Sequence, residues 1–286
     1  MNLTNICVVK DLLSRYGFNF SKGLGQNFIV NPNICPQIAE YGNASSGWGI
    51  LEIGTGVGVL TKELAIRADK VSAVEIDERL MPVLAETLRE FNNIKIYNED
   101  VMKADLKKII NDDFGGLRTA VCANLPYYIT SPVIMLLLES RLPVESITVM
   151  VQKEAAQRLC AKVGSREAGA ITVGVNYYGT VTSLFDVSRG NFMPSPNVDS
   201  AVIRIDIDKN PRLDPDEEKF FFKMVKAGFS QRRKTLANGL YSLLGIAKSD
   251  VYSALRDLGI SESVRMEALD MEQLIALSLG LMMKEN

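Results

Sequence analysis

Ile50-Leu51-Glu52-Ile53-Gly54-Thr55-Gly56-Val57-Gly58 decides the fold. A short apolar run enters a glycine-rich turn, and Leu60-Thr61-Lys62-Glu63-Leu64 opens a helix directly after it. A strand, a glycine turn and a helix N-terminus let a ligand approach the main chain closely, because glycines leave out the side chains that would block it. The spacing is G-x-G-x-G, with Glu52 two positions before the first glycine, whereas dinucleotide-binding turns prefer G-x-G-x-x-G. That difference suits a nucleoside ligand without a pyrophosphate better than a nicotinamide dinucleotide.

Two further strand ends extend the pattern. Residues 70–77 read as a second strand, and Glu75 lies 21 residues after Gly54. A carboxylate at the tip of the second strand is where such folds hold ribose hydroxyls. A third strand, residues 94–97, ends at Asn98-Glu99-Asp100, and Asp100 there can accept a hydrogen bond from an adenine amino group. Either acid alone reads equally well as a solvated loop carboxylate; it is their order along the chain that ties them to one ligand.

The fourth signal follows the apolar run Thr119-Ala120-Val121-Cys122, where the chain reads Ala123-Asn124-Leu125-Pro126-Tyr127. Asn124 Oδ1 and the Leu125 carbonyl can accept the two N–H donors of an exocyclic amine while Tyr127 stacks on the ring that carries it. Pro126 has a fixed φ and no N–H, which stiffens the turn. Taken alone, the segment is equally an ordinary proline turn at a strand end.

Composition narrows the chemistry. The chain has 286 residues, 47% of them hydrophobic, enough for more than one average domain and a substantial core. It contains no histidine, which removes the usual general base, the Ser/His and Cys/His nucleophile pairs and most metal sites. Cys7, Cys35, Cys122 and Cys160 are far apart with no C-x-x-C pair, so reduced, mostly buried thiols and no metal are expected. No stretch is apolar and long enough to span a bilayer, and no basic-then-apolar leader opens the chain, so a cytoplasmic protein is expected. The net charge is −2, yet residues 220–240 carry Lys223, Lys226, Arg232, Arg233 and Lys234 and no acid. Such a patch can meet a phosphate backbone, or be a solvated helix face.

The coarse organisation is α/β. An amphipathic helix is predicted over 6–16, a loop over 21–28 and a second helix from about Asn31-Pro32. From 50 to 208 strands alternate with helices, the signature of a doubly wound parallel sheet. Residues 170–178 are rich in β-branched side chains and are assigned as a helix before a strand at 180–187. A last strand, 201–207, is expected to close the sheet antiparallel to 180–187. A polar, proline-bearing linker at 208–218 separates a catalytic domain, 1–208, from a small all-helical domain, 209–286, with helices over 220–228, 234–244, 249–258 and 271–281.

These blocks together resemble the KsgA-type ribosomal RNA small-subunit adenine dimethyltransferases over nearly the whole chain. The matching stretches are Leu24-Gly25-Gln26-Asn27-Phe28, residues 52–58, Val74-Glu75-Ile76-Asp77, Asn124-Leu125-Pro126-Tyr127 and Gln152-Lys153-Glu154. They continue with Phe192-Met193-Pro194-Ser195-Pro196-Asn197-Val198-Asp199-Ser200 and Gln231-Arg232-Arg233-Lys234-Thr235-Leu236. Ser188 and Ala168 depart from the family pattern, at positions outside its cofactor and amine-gripping sets. The resemblance implies a Rossmann-like S-adenosylmethionine-dependent methyltransferase, with the cofactor held by Asn27, Ile29, Gly54, Gly56, Glu75, Asp100 and Asn124. It implies a catalytic set of Asn124, Leu125, Pro126, Tyr127 and Phe192, the two aromatic rings sandwiching the base, and an RNA-binding set of Arg232, Arg233 and Lys234. The implied reaction is N6,N6-dimethylation of two adjacent adenosines in a loop near the 3′ end of small-subunit ribosomal RNA during ribosome biogenesis. The partner would be that RNA or the pre-ribosomal small subunit, and the protein a monomer. The competing readings are a large-subunit RNA methyltransferase of the macrolide-resistance type, an assembly factor acting by binding alone, and a nicotinamide dehydrogenase.

Overall fold

The computed structural model describes residues 1–285. The chain packs as two compact units: Met1–Ala156 with Val181–Ile207, and Gln157–Thr180 with the chain from Asp208 onward. Residues 157–180, placed with the sheet by the sequence reading, therefore pack among the C-terminal helices.

The first unit is built on β2 (Trp48–Ile53), β3 (Lys70–Val74), β4 (Ile94–Tyr97), β5 (Arg118–Asn124), β6 (Ser146–Gln152), β7 (Gly179–Val187) and β9 (Ser200–Ile207), in the order β4-β3-β2-β5-β6-β9-β7. The strands from β4 to β6 are parallel, and β9 runs antiparallel to β6. Strand order reverses between β2 and β5, so a crevice opens at the carboxyl ends of those two strands. The glycine turn follows β2 and the Asn124 turn follows β5, which puts both at that crevice. Residues 201–207 were expected to close the sheet; β9 instead lies inside it, between β6 and β7, and β7 is the edge.

Helix packing explains the apolar pattern. The helix Ile6–Arg15 starts where the Asn5 side chain accepts from the N–H groups of Cys7 and Val8, and it buries Val9, Leu12 and Leu13. Those three meet Phe28, Leu80, Val83 and Leu84 in one cluster, while Ile38, Ile50, Leu64, Val71, Cys122 and Met150 form another. The second helix runs over Ile34–Tyr41, slightly later than Asn31-Pro32 suggests. A two-residue ladder that no local pattern announces pairs β1 (Phe28–Ile29) with β8 (Phe192–Met193), Ile29 opposite Phe192. Of the four thiols, Cys35 and Cys122 are buried and Cys7 is exposed.

In the second unit, residues 170–178 are a helix, Ala170–Tyr178, as assigned. The helix Pro215–Ser230 begins inside the stretch read as a linker, because Asp214 and Glu217 form a capping box around its first turn. It packs on Leu236–Leu244 and Met271–Glu285, burying Phe221, Met224, Leu240, Leu274 and Leu277. Tyr177 and Tyr178 stack on Phe221 and Phe222, and both phenols donate to Glu218, at 3.0 and 2.8 Å. Among the described residues no helix is long and apolar enough to cross a membrane.

Strand β2 is buried at every position, Glu52 included. Neither Glu52 oxygen has a hydrogen-bond partner. Burial is the main reason its carboxyl is pushed up from 4.5 to about 8; the nearby Thr61 hydroxyl pulls the other way without completing a bond, and the Glu75 charge adds to the rise. The folded chain thus keeps a proton that the unfolded chain releases near pH 4.5. Stability is then expected to fall as pH rises from about 4.5 to about 8 and to level off above that. Glu52→Gln removes this titration. Melting curves at pH 6, 7 and 8 should show a flatter pH dependence for the variant, with a relative gain of a few kcal/mol at pH 8; parallel curves would contradict a neutral buried Glu52.

Candidate active site

The turn after β2 holds its shape through one carboxylate. Gly54, Gly56 and Gly58 take φ of 77°, 54° and 90°, in the region that disfavours side chains. At Gly56 a Cβ would stand 3.1 Å from the Phe28 ring, so the main chain is bare there for a second reason. Glu75, buried just past β3, accepts on Oε2 from the Thr55 N–H at 2.9 Å, the Thr55 hydroxyl at 3.0 Å and the Gly56 N–H at 3.2 Å. Its Oε1 accepts from the Asp77 N–H at 2.9 Å. Each carboxylate oxygen has roughly two lone-pair directions, so Oε1 keeps acceptor capacity for a ligand.

Asp77 carries the next link, one the sequence reading quoted without giving it a role. Arg79 donates to its two oxygens at 2.7 and 2.6 Å, and Gln26 Nε2 donates to Oδ2 at 2.7 Å. The Arg79 guanidinium holds the Asp77 carboxyl below its ordinary range, with the Gln26 bond assisting. Gln26 Oε1 in turn accepts from the Ser21 N–H, so the loop over 21–28 is tied to the end of β3. Only the spacing of Gln26 from the glycine turn could have hinted at this, since the two partners are 51 positions apart.

At the end of β5, Asn124 Nδ2 donates to the Asn27 carbonyl at 3.3 Å. A carbonyl can only accept, so this bond fixes which end of the amide is which, and Oδ1 is left without a donor among the described residues. The Leu125 N–H donates to the Met150 carbonyl, while the turn bonds from Ile129 N–H and the Thr130 hydroxyl go to the Pro126 carbonyl. The Leu125 carbonyl stands outside those bonds. Tyr127 is half-buried with its hydroxyl 2.8 Å from Ser200 Oγ, and burial raises its phenol above the ordinary value.

These groups border one cavity of about 290 Å³. Its lining includes all seven residues expected to hold the cofactor: Asn27, Ile29, Gly54, Gly56, Glu75, Asp100 and Asn124. It also includes Leu125, Pro126 and Tyr127. Asp100 Oδ1 accepts from the Met102 N–H at 3.0 Å. Phe192 is different. Expected to face Tyr127 across the base, it is only 5% exposed, lies outside that lining and packs with Ile29 in the core through the β1–β8 ladder. Its position offers a base no open face.

The cavity fits S-adenosylmethionine by the chemistry of its donors and acceptors. A bare glycine main chain, a carboxylate with spare acceptor capacity and a second carboxylate at the next strand end suit a nucleoside with a short charged chain.

The basic block lies in the second unit, in the turn between Pro215–Ser230 and Leu236–Leu244. Arg232 is not free: it donates to Glu267 at 3.0 Å and to the Arg166 carbonyl at 2.6 Å. Arg233 and Lys234 are exposed and have no ion pair among the described residues.

Comparison with known proteins identifies the family. The family described as "Ribosomal RNA adenine dimethylase" matches residues 17–281. "Ribosomal RNA small subunit methyltransferase A" of Geobacillus thermodenitrificans (strain NG80-2) is 46% identical over 277 residues, covering 96% of this chain and 94% of the relative. The protein of the same name from Bacillus cereus (strain B4264) is 44% identical over 278 residues, covering 96% and 95%. Among solved structures, a dimethyladenosine transferase from Plasmodium falciparum aligns with a TM-score of 0.75 at 27% identity, covering 90% of this chain and 98% of that one. The 23S rRNA methyltransferase ErmE aligns with a TM-score of 0.68 at 28% identity, covering 89% and 99%. The chain belongs to the ribosomal RNA adenine dimethylase family and is an S-adenosylmethionine-dependent methyltransferase.

Proposed function

We propose that this enzyme places two methyl groups on N6 of each of two adjacent adenosines in a loop near the 3′ end of small-subunit ribosomal RNA, acting on the RNA or on the assembling subunit. The observation that carries the reading is the Asn124 amide at the cavity, oriented by the Asn27 carbonyl so that Oδ1 has no donor among the described residues, with Leu125 next to it in the same lining. The relatives named for small-subunit RNA are the more similar in sequence, at 46% against 28% for the large-subunit enzyme.

The adenine N6 is a poor nucleophile because its lone pair is delocalised into the ring. Asn124 Oδ1 and the Leu125 carbonyl accept its two N–H donors and so favour a pyramidal nitrogen whose lone pair points away from both. Tyr127, neutral and held by Ser200, gives the ring one stacking face that tolerates developing positive charge. Bound in the cavity, S-adenosylmethionine supplies an electrophilic sulfonium methyl. Positioning and electrostatics supply the rest, and no strong base is needed because an alkylated amine loses its proton readily. A chain without histidine is equipped for that chemistry. Glu75 and Asp100 would hold the nucleoside end of the cofactor, and the base would reach the turn only from an unstacked or single-stranded site.

Three measurements test this reading. S-adenosylmethionine at ~100-fold above its Kd should stabilise the protein by about 2.7 kcal/mol, and NAD should not; the reverse pattern would remove the cofactor assignment. Asn124→Ala should slow single-turnover methyl transfer to under-methylated small subunits by on the order of 10²–10³, with cofactor affinity measured alongside. A rate within a few fold of wild type would exclude the role given to Oδ1. Neutralising Arg233 and Lys234 together should flatten the dependence of log K for particle binding on log salt by about 1.5, at roughly 0.7–0.9 per phosphate contact. Arg232→Gln, which breaks the bonds to Glu267 and Arg166, should lower the melting temperature instead. An unchanged slope in the double variant would take the block out of the RNA site.

A further inference from the structure

Tyr128 leaves most of its ring to solvent. It is 57% exposed, its hydroxyl has no hydrogen-bond partner among the described residues, and it belongs to neither of the two core clusters described above. Yet it borders the cavity, one residue beyond Tyr127. Its ring is held from one side. A Cβ on Gly25 would stand 3.3 Å from Tyr128 Cδ1 and 3.6 Å from Pro126 Cβ, so ring, proline and the bare Gly25 main chain lie against one another. Gly25 has φ +58°, a conformation that also disfavours a side chain, so the loop over 21–28 supports the ring without covering it.

With Phe192 buried, Tyr127 offers one face inside the cavity, and Tyr128 offers an open aromatic surface at its mouth. We propose that Tyr128 is a stacking platform for the nucleotide next to the one whose amine is held at Asn124. The proposal rests on the function given above. A base withdrawn from its strand leaves its neighbour unstacked on one side, and an exposed tyrosine supported by glycine and proline replaces the lost stacking partner at little conformational cost. Adjacent targets would exchange places: while one adenine is at Asn124, the other rests on Tyr128.

The test uses the full-length enzyme and small subunits isolated from cells lacking the gene. Base–aromatic stacking is worth about 1–3 kcal/mol, roughly 5- to 150-fold in binding. Tyr128→Ala should therefore raise KM for the particle about tenfold or more, with the loss falling on KM more than on kcat and cofactor affinity retained. Tyr128→Phe should restore KM to within about twofold, and Tyr128→Leu, apolar but without a π face, should not. A particle KM for Tyr128→Ala within twofold of wild type would overturn the proposal, and so would rescue by Leu equal to that by Phe. Absence of transfer by the wild-type enzyme would instead overturn the parent reading, so the two failures are distinct.

Discussion

The site depends on one buried anion. Glu75 projects from the end of β3 across to the turn after β2, and its Oε2 collects three donors from Thr55 and Gly56. An unpartnered carboxylate in that position would cost several kcal/mol, so the turn and the strand end are fixed relative to each other as a condition of folding. The same residue's Oε1 holds the Asp77 N–H, and Asp77 holds Gln26 and Arg79. The N-terminal loop is thereby brought to the cavity, where the Asn27 carbonyl orients Asn124. Hydrogen bonds thus link the glycine turn to the Asn124 turn, charge-assisted at Glu75 and Asp77 and neutral where Asn124 meets the Asn27 carbonyl.

That division of labour suits the chemistry. The groups proposed to face the amine are acceptors, an amide oxygen and a main-chain carbonyl, neither of which titrates near neutral pH. Burial keeps Glu52 protonated at pH 7, and the Glu75 and Asp100 carboxylates at the cavity each accept from a main-chain N–H. The exposed cations at Arg233 and Lys234 belong to the other compact unit. Under the proposed function, accepting an amine and meeting phosphates are separate tasks, and the sequence keeps the residues proposed for them in separate blocks.

Much of this was legible in the sequence because the signals are local. The apolar run before Gly54, the spacing to Glu75 and the Asn124–Tyr127 turn each carry their geometry within a few residues, and all the expected cofactor residues border one cavity. What the sequence hid is non-local. Phe192 is drawn into the core by a two-residue ladder with Ile29, too short to leave a strand pattern. Acids at 214–218 look like a solvated linker, but Asp214 and Glu217 cap a helix and Glu218 binds two tyrosines. Arg232 reads as one of three equivalent cations, and only the fold brings Glu267 and Arg166 to it. Residues 170–178 read as a helix leading into a strand, which fits a sheet crossover, and nothing local says that 157–180 pack with the C-terminal helices.

The most direct measurement of the central claim is mass spectrometry of ribosomal RNA from cells with and without this gene. The account predicts N6,N6-dimethyladenosine at two adjacent positions near the 3′ end of the small-subunit RNA, present with the gene and lost without it. Small-subunit RNA unchanged by the deletion, with a methylated adenosine lost from the large-subunit RNA instead, would contradict it.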